Sequence, residues 1–443
     1  MEGINLNKLE AVMERLLVPI ATKLNAQRHV VAIRDAFILT FPITMAGSMI
    51  VLINNAILAP DGFIAKILHL GDIFPNLSAS QAVLAPVLNG STNILAVMVV
   101  FLIGRNLALN MKGDDLLAGL TSVSVYFILY PNTVNIEGVG YLKTQYLGPQ
   151  GLFVALVVGL LVGEFVTRLS MTDKLKITLP PEVPPAVSRA FAILIPIMIV
   201  TMGFSVINYV ITRAYPDGIN ALIYKVLQQP LTALSNNVGS ILAFSIVSNF
   251  LWILGIHGPN TVAAIREPLF AEAGQANLKW VNEHGTAWGA PYHATWAVND
   301  AFANYGGSGC TLGLIIAVFI FSKREDYKDI IKLSVAPGLF NINEPIIFGL
   351  PVVLNPLLVI PFVLAPVINV LIGYAAIQAG IIPPIAYQVP WTTPGPLIAF
   401  LGTGGNYVAL AIGLLCLLAA TVVYTPFVIA ANKTLERENE AQA

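Results

Sequence analysis

The chain has 443 residues, of which 56% are hydrophobic and only 11% are charged, and its mean hydropathy is +0.77. Because a soluble domain carries about 25% charged residues, this composition excludes a water-soluble globular protein and indicates an integral membrane protein. The formal net charge of −1 gives no general attraction for nucleic acid, so no nucleic-acid partner is expected.

The first predicted element is an amphipathic helix within residues 1–34. Apolar side chains recur at helical spacing among charged ones over residues 5–24, which is typical of a helix that lies in the membrane interface. The segment lacks the long apolar run and small-residue cleavage site of a signal peptide.

Five apolar segments in the first half are predicted to cross the membrane, because a helical span needs about 20 residues. They cover residues 36–58, 81–103, 116–130, 147–169 and 189–211. A Pro-rich linker at 179–185 cannot be helical, since each Pro removes a backbone donor. We expect residues 35–212 to form one bundle. Gly159 and Gly163 permit close helix packing, either between two copies of the chain or within the bundle.

Residues 213–235 form a second, milder amphipathic stretch that is predicted to link this bundle to a second domain. Within that domain, residues 236–435, clean spans are predicted at 237–255, 311–321, 356–378 and 407–429, and a tail follows at 436–443. Segments rich in Gly, Pro, Asn and Trp lie between these spans, at 285–309, 336–351 and 387–405. Non-helical backbone is tolerated at membrane depth only where protein or a water-filled cavity satisfies its polar groups. These segments therefore predict re-entrant hairpins or broken helices around a solute site.

Basic residues set the predicted orientation. Lys and Arg cluster in the N-terminal segment, after the second and fourth spans, after Phe321 and at the C-terminal end, on one side of a consistent alternation. By the positive-inside rule both termini are predicted to be cytoplasmic, which requires an even number of spans. We therefore predict an all-α membrane protein of about ten transmembrane helices, with the path of residues 257–309 left open.

Glu344 is the most informative single residue for locating a functional site, because it is an isolated charge in a long uncharged part of the chain that begins after Lys332. A carboxylate at membrane depth costs about 2.5–3.5 kcal/mol on insertion scales, so such residues usually face a cavity and serve function. The alternative is a structural carboxylate that pairs with a cation such as Arg266.

Two helix breaks carry the polar groups of the predicted site. Pro345 breaks the helix next to Glu344, where Asn341 and Asn343 add hydrogen-bonding groups suited to sugar hydroxyls. His257 marks a second helix terminus, and a neutral imidazole there can hold a sugar hydroxyl or pair with Glu344. The alternative for a lone His is a hydrogen-bonded core residue.

Trp391 lies in the third broken segment, beside Thr392 and Thr393, and is predicted to offer an apolar platform to a sugar face. Some of the other tryptophans are expected to belong to the interfacial belt. Asn89, in a polar but uncharged run of the second span, is a further candidate for the cavity lining. Helix packing through small polar residues explains that run equally well.

Several chemistries are excluded by the absence of their motifs. The chain has no GxxxxGK[ST] loop for ATP, no HExxH helix and no CxxC pair, so neither a metal nor a cofactor is expected. Cys310 and Cys416 lie in apolar runs and are interpreted as core residues.

The runs Asn341-Ile-Asn-Glu-Pro345 and Ile256-His-Gly-Pro259 resemble those of enzyme IIC, the permease component of bacterial sugar phosphotransferase systems, in its lactose/cellobiose/diacetylchitobiose branch. The resemblance extends over nearly the whole chain, in span order, amphipathic N-terminal helix, Pro-rich linker and broken segments. It implies a homodimer of ten-span protomers in the bacterial cytoplasmic membrane, with the first spans at the dimer interface and the later ones carrying the sugar. Glu344 and His257 then correspond to the sugar-contacting carboxylate and imidazole of the family, and Trp391 to its aromatic contact.

The resemblance also implies partners besides membrane lipid. A β-linked disaccharide is phosphorylated on its 6-hydroxyl by a phosphocysteine of cytosolic IIB, and the phosphate descends from phosphoenolpyruvate through enzyme I, HPr and IIA. The chain ends at Ala443 without a fused IIB or IIA domain, so the phosphodonor is expected on a separate protein. This favours a cellobiose- or diacetylchitobiose-type sugar over lactose. On this interpretation the chain is the transport subunit of a phosphotransferase complex, and whether it counts as an enzyme is left open.

Two other functions remain open from the sequence. One is an ion-coupled secondary sugar transporter in which Glu344 is a proton or sodium site, although few intramembrane charges are available to it. The other is a membrane-embedded enzyme, for which no complete catalytic set is present.

Overall fold

The structure is a computed structural model that describes residues 26–131, 134–350, 352 and 356–442. The predicted amphipathic helix over residues 5–24 lies outside the described residues. The described part is built almost entirely of helices, with one two-stranded antiparallel sheet, in agreement with the predicted all-α class.

Helices of the first half form a bundle that is followed by the predicted linker. They are α1 (Arg28–Ile53, extended by a π-helical turn over Asn54–Leu58), α2 (Phe63–Ile67), α3 (Leu70–Ile73), α4 (Gln81–Leu84), α5 (Leu95–Asn110), α6 (Asp115–Ile128), α7 (Leu152–Ser170), α8 (Pro185–Ala192) and α9 (Leu194–Ala214). Strands β1 (Val134–Ile136) and β2 (Val139–Tyr141) make a hairpin between α6 and α7, with Asn135 opposite Gly140. The linker folds as α10 (Gly218–Ile223), a π-helical turn over Tyr224–Gln228, and α11 (Gln229–Ser235).

The second half alternates long helices with short ones. It comprises α12 (Val238–Ile253), α13 (Gly258–His284), α14 (Trp296–Ala303), α15 (Thr311–Phe321), α16 (Glu325–Leu339), α17 (Glu344–Gly349), α18 (Pro356–Gln378), α19 (Gly395–Gly402) and α20 (Tyr407–Gln442). The breaks before α14, α17 and α19 fall in the three segments that the sequence predicts to be interrupted.

Side chains at the helix starts explain several of these boundaries. Asp114 caps α6 by accepting a hydrogen bond from Leu117 N at 3.0 Å, and Asn237 caps α12 by accepting from Ser240 N at 3.0 Å. The long α13 ends at Gly285, whose φ of 70° is the left-handed conformation that glycine adopts without strain.

Among the described helices, seven are long and apolar enough to cross a membrane, and the bent pair Gly218–Ala233 and Val238–Ile253 is an eighth candidate. The predicted span at 311–321 is the second part of one broken span, Trp296–Phe321. The short apolar α6 is a ninth candidate among the described helices, in line with the predicted number of about ten, and the 27-residue α13 is long enough to cross but more polar.

The helix α13 fills the path that the sequence leaves open. Charged residues recur along it, including Arg266, Glu272 and Lys279, so its mean hydropathy does not reach that of a span. Other helices cover part of it and supply partners for its polar groups, which is why a polar sequence forms a long helix inside this bundle.

The core of the first half forms where α5, α6 and α7 pack together. An added Cβ at Gly159 would lie 2.8 Å from Ile103 Cβ, and one at Gly163 would lie 3.0 Å from the Gly104 carbonyl oxygen. These two glycines therefore serve packing of α7 against α5 within one chain, which is the second of the two interpretations of this pair.

The helix α1 joins the two halves of the chain. Asn55 Nδ2 donates to the Val281 carbonyl of α13 at 2.8 Å and to the Tyr387 hydroxyl at 2.9 Å. Ser48 Oγ donates to Gln388 O at 3.1 Å and accepts from Gln388 N at 2.7 Å. Although α1 belongs to the first half by sequence, these bonds attach it to a broken segment of the second.

Glu272 makes a second connection between the halves. Its carboxylate accepts from the Tyr224 hydroxyl at 2.7 Å, from Gln150 Nε2 at 3.2 Å and from Gln228 Nε2 at 3.2 Å. The linker and the start of α7 are thereby bonded to the middle of α13.

The substitution Asn55→Ala is expected to destabilise the contact between the halves. It removes one of two donors from the Val281 carbonyl, which keeps the Gly285 N–H, and leaves the Tyr387 hydroxyl oxygen without its donor, at a cost of about 1–3 kcal/mol. The apparent Tm of the detergent-solubilised protein, measured by thermal unfolding, should fall. The control is Asn76→Ala, since Asn76 is exposed and its side chain caps no helix. An equal fall in both variants would contradict the role of Asn55.

Candidate functional site

The three broken segments of the second half meet at the side chain of Asn341. Its Oδ1 accepts from Gly306 N at 2.8 Å, in the first segment. Its Nδ2 donates to the carbonyls of Trp391 at 2.6 Å and Thr393 at 2.7 Å, in the third. One amide therefore ties the segment that carries it to both of the others.

Asn343 reinforces this junction. Its Nδ2 donates to the Ser308 carbonyl at 2.9 Å. Gly307 lies between Gly306, which is bonded to Asn341, and Ser308, which is bonded to Asn343. The chain turns there, with a φ of 89° at Gly307. An added Cβ there would lie 2.7 Å from the Asn341 carbonyl oxygen and 2.8 Å from Asn343 Cγ, so the close approach requires glycine.

The backbone N–H and carbonyl of the neighbouring Gly309 are also hydrogen-bonded by side chains. Its N–H donates to Asn249 Oδ1 at 2.7 Å, and its carbonyl accepts from the Tyr424 hydroxyl at 2.6 Å. Polar backbone groups that have left a helix thus find partners on α12 and α20, as membrane depth demands.

Asn341 and Asn343 are each only 4% exposed, and their amides bind backbone carbonyls and an N–H. The structure thus gives both residues contacts that position the site. The predicted sugar contact of these two residues stays a prediction.

Glu344 is different from its neighbours, because its side chain is exposed at the start of α17. Within the described part of the chain it has no hydrogen bond and no ion pair. Arg266, the cation of the alternative interpretation, pairs with Glu267 and lies 4.5 Å from the ring centre of Trp296. The carboxylate is therefore open to a ligand.

His257 is the N-cap of α13, and its Nδ1 accepts from Asn260 N at 3.2 Å. A ring nitrogen that accepts carries no proton, so the neutral ring presents an Nε2–H donor. The ring centre lies 4.7 Å from that of Trp252, which supports its orientation. With Nδ1 engaged as an acceptor, the neutral ring has its Nε2–H left to donate to a ligand.

The two helix breaks lie within electrostatic reach of each other. His257 feels the charges of both Glu344 and Arg34, so a carboxylate, an imidazole and a guanidinium share one region at the N-terminal ends of α13 and α1. No hydrogen bond or ion pair joins His257 to Glu344 among the described residues, so the direct pairing that the sequence suggests stays a prediction.

Trp391 and Thr392 line a groove of about 380 Å³ together with α1 residues that include Phe41 and Met45. The Trp391 side chain is 47% exposed, so its ring is available for contact. Since Asn341 holds the Trp391 backbone, the groove and the Glu344 break are parts of one assembly.

Asn89 is exposed and accepts a hydrogen bond from Asn93 Nδ2 at 2.9 Å. It lies in an interrupted stretch next to Ser91, which packs against Gly47 of α1. Gly47 follows Ala46 of the groove. The structure brings Asn89 to the neighbourhood of the groove wall, and its role as a sugar contact stays a prediction.

Sequence reasoning missed Asp300 on α14. It lies within electrostatic reach of Arg266, whose guanidinium covers the Trp296 ring. The criterion that selects Glu344 would have selected it as well, because Asp300 is the only acidic residue between Glu283 and Glu325.

The two cysteines are buried, as predicted for core residues. Cys310 Sγ donates to the Ala303 carbonyl at 3.2 Å. In the part of the chain that the structure describes, no three His, Cys, Asp or Glu side chains come together as metal ligands.

Known proteins are similar to this chain over nearly its whole length. The sequence profile of phosphotransferase system EIIC matches residues 34–366. The chain is 32% identical to a cellobiose-specific EIIC component of Lactococcus lactis, over 98% of this chain and 100% of that protein. It is also 32% identical to an oligo-beta-mannoside-specific EIIC component of Bacillus subtilis, over 97% of this chain and 95% of that one.

A solved structure extends the likeness to three dimensions. The crystal structure of the transporter ChbC, the IIC component of an N,N'-diacetylchitobiose-specific phosphotransferase system, matches with a TM-score of 0.88 and 31% identity. The match covers 98% of this chain and 100% of that one.

The substitution Gly307→Ala is expected to disrupt the junction of the broken segments, because the new methyl group would collide with Asn341 and Asn343. Its matched control is Gly380→Ala. Gly380 also has a positive φ, of 66°, but an added Cβ meets nothing within 4 Å. Both variants carry backbone strain of about 1 kcal/mol or more, so their difference isolates the collision. Thermal unfolding should show a lower Tm for Gly307→Ala than for Gly380→Ala, and equal values would contradict the tight junction.

Proposed function

This chain belongs to the phosphotransferase system EIIC family, and we propose that it is a permease for a β-linked disaccharide of the cellobiose or diacetylchitobiose type. The observation that carries the proposal is the exposed Glu344, without a protein partner in the described part of the chain, beside His257. The names of the EIIC relatives support the class of sugar.

The chemistry of the site suits neutral hydroxyl groups. A carboxylate accepts a hydrogen bond from a hydroxyl, and a neutral imidazole donates one from Nε2, so Glu344 and His257 can hold the two sides of one sugar hydroxyl. The exposed face of Trp391 provides an apolar surface for the C–H groups of a sugar ring, and Thr392 adds a hydroxyl beside it.

The sugar hydroxyl held there is the one that receives phosphate. We assign the phosphodonor to a phosphocysteine of cytosolic IIB, supplied from phosphoenolpyruvate through enzyme I, HPr and IIA. Glu344 orients the hydroxyl and accepts its proton as the oxygen attacks phosphorus, which is general-base catalysis.

The proposed orientation places both termini in the cytoplasm. The N-terminal end of α1 and the His257 region then lie near the cytoplasmic face, where IIB approaches. The run of Lys and Arg after α15 begins at Lys323, where the broken span Trp296–Phe321 ends, and supports this orientation.

A homodimer through the first half remains part of the proposal. The span Pro185–Ala214, which comprises α8 and α9, supports it, because few of its residues are buried within the chain and large side chains such as Met202 and Val206 are exposed. The alternative of an ion-coupled secondary transporter gains no support from the relatives, which are named as phosphotransferase components.

The substitution Glu344→Gln tests the base. In vesicles with phospho-IIB, we expect phosphorylation of cellobiose at saturating concentration to fall by roughly 10²–10⁴-fold, because the amide accepts no proton. Equilibrium binding of the labelled sugar should change much less, since the amide still forms hydrogen bonds. The control is Glu283→Gln, which removes an exposed carboxylate that pairs with Lys279 at 3.7 Å. Phosphorylation at the native rate in Glu344→Gln would refute the base role.

The substitution Trp391→Ala tests the platform. Loss of the indole face should weaken equilibrium binding of the labelled disaccharide by about 1–2 kcal/mol, and Trp391→Phe should restore part of it. Trp288 is also 47% exposed and serves as the control, because its contact with Trp280 uses only its backbone carbonyl. Equal affinity in Trp391→Ala and Trp288→Ala would exclude stacking on Trp391.

A further inference from the structure

Two contacts fix how α1 lies along α13. Near the C-terminal ends, Asn55 beyond α1 donates to the Val281 carbonyl at 2.8 Å. Near the N-terminal ends, Arg34 of α1 lies within electrostatic reach of His257. The two helices therefore run in the same direction, and Arg34 lies beside the start of α13, where the sugar hydroxyl is held under the proposed function.

Arg34 also lies on the face of α1 that lines the groove. Phe41 and Met45 of that groove follow Arg34 by seven and eleven positions, which returns to the same side of an α-helix. Seven residues span about 10.5 Å along the axis. One face of α1 thus presents Phe41 and Met45 to Trp391. On the same face, two turns nearer the N-terminal end of α1 and towards His257, lies the guanidinium of Arg34.

The guanidinium keeps donors for a ligand. Arg34 Nε donates to Asp35 Oδ1 at 2.9 Å, and Nη2 lies 2.8 Å from the same oxygen. Asp35 is adjacent in the chain and itself 39% exposed, so one edge of the fork is occupied and the Nη1 donors have no protein partner among the described residues.

A neutral sugar does not need this cation, but a phosphoryl group does. The other charged side chains placed here, Glu344 and Asp35, are both acidic, so without Arg34 an incoming phosphate would meet only repulsion. Arginine matches the geometry of phosphate oxygens with paired N–H donors and keeps its charge at every physiological pH.

We propose that Arg34 binds the phosphoryl group during its transfer to the sugar, a role that rests on the proposed function. In this step the bond between phosphorus and the cysteine sulfur of IIB breaks, and its electron pair leaves on the sulfur as a thiolate. The bond between phosphorus and the sugar oxygen forms, and the hydroxyl proton passes to Glu344. Arg34 stabilises the negative charge on the phosphoryl oxygens throughout.

The test compares Arg34→Gln and Arg34→Lys in the full chain with phospho-IIB. Three quantities are measured: the affinity for labelled cellobiose, the affinity for cellobiose 6-phosphate, and the phosphorylation rate at saturating cellobiose. Arg28→Gln is the control on the same helix, because the Arg28 guanidinium pairs with Glu164 at 2.6 Å. Elution of each variant as a single symmetric peak in size-exclusion chromatography verifies folding.

For Arg34→Gln we expect the phosphorylation rate to fall about 10–100-fold, because the substitution removes one charge-assisted hydrogen-bonding group. The affinity for cellobiose 6-phosphate should fall about tenfold, and the affinity for cellobiose should stay within about twofold. Arg34→Lys should recover part of the rate, because it keeps the charge but loses the fork. Arg28→Gln should match the wild type in all three quantities.

Two results would overturn the role of Arg34 alone: an unchanged rate in Arg34→Gln, or an equal loss of affinity for cellobiose and its 6-phosphate. The second result would mean that Arg34 holds the sugar or the fold. Failure of the wild-type protein to bind any β-linked disaccharide, or to accept phosphate from phospho-IIB, would instead overturn the proposed function, and the role of Arg34 with it.

Discussion

Backbone groups that leave a helix at membrane depth must be hydrogen-bonded by protein, because lipid offers them no partner. In this chain the three interrupted segments of the second half satisfy one another through the buried amide of Asn341. Asn249 and Tyr424 complete the arrangement from two long helices. Each such bond contributes only about 0.5–1.5 kcal/mol, but a buried group left without one costs more. The positions of Glu344, which follows Asn341 and Asn343 in the chain, and of Trp391 depend on this junction.

Glu344 and His257 differ from these residues, because each keeps a polar group that no protein bond engages within the described residues. Glu344 follows two asparagines whose amides are engaged, yet its own carboxylate is exposed and makes no bond within the described residues. His257 uses Nδ1 to cap α13, which leaves Nε2 for a ligand. The same breaks that create a structural demand for hydrogen bonds therefore also supply the donor and acceptor that a sugar requires. Asn341 and Asn343 hold the broken segments in place, and Glu344, which follows them directly, is left for the ligand.

Much of this arrangement could be predicted from the sequence, because charge and proline are rare at membrane depth and each occurrence is informative. The helix breaks at His257 and Glu344 followed from that argument. The helix α13 did not, since its charged residues lower its mean hydropathy and only tertiary contacts explain them. The fully bonded state of Asn341 also could not be predicted, because composition does not show whether an amide faces a ligand or the backbone.

The connection of α1 to the second half has a mechanical consequence. A transporter exposes its site to the two sides of the membrane in turn, often by displacing one rigid body against another. The bonds of Asn55 and Ser48 put α1 on the same side of any such sliding boundary as α13 and the Tyr387 segment. If those bonds hold throughout the cycle, the boundary runs between α1 and the rest of the first bundle, and the ion pair of Arg28 with Glu164 of α7 must break instead. The wall that carries Phe41 and Arg34 would then travel with the sugar.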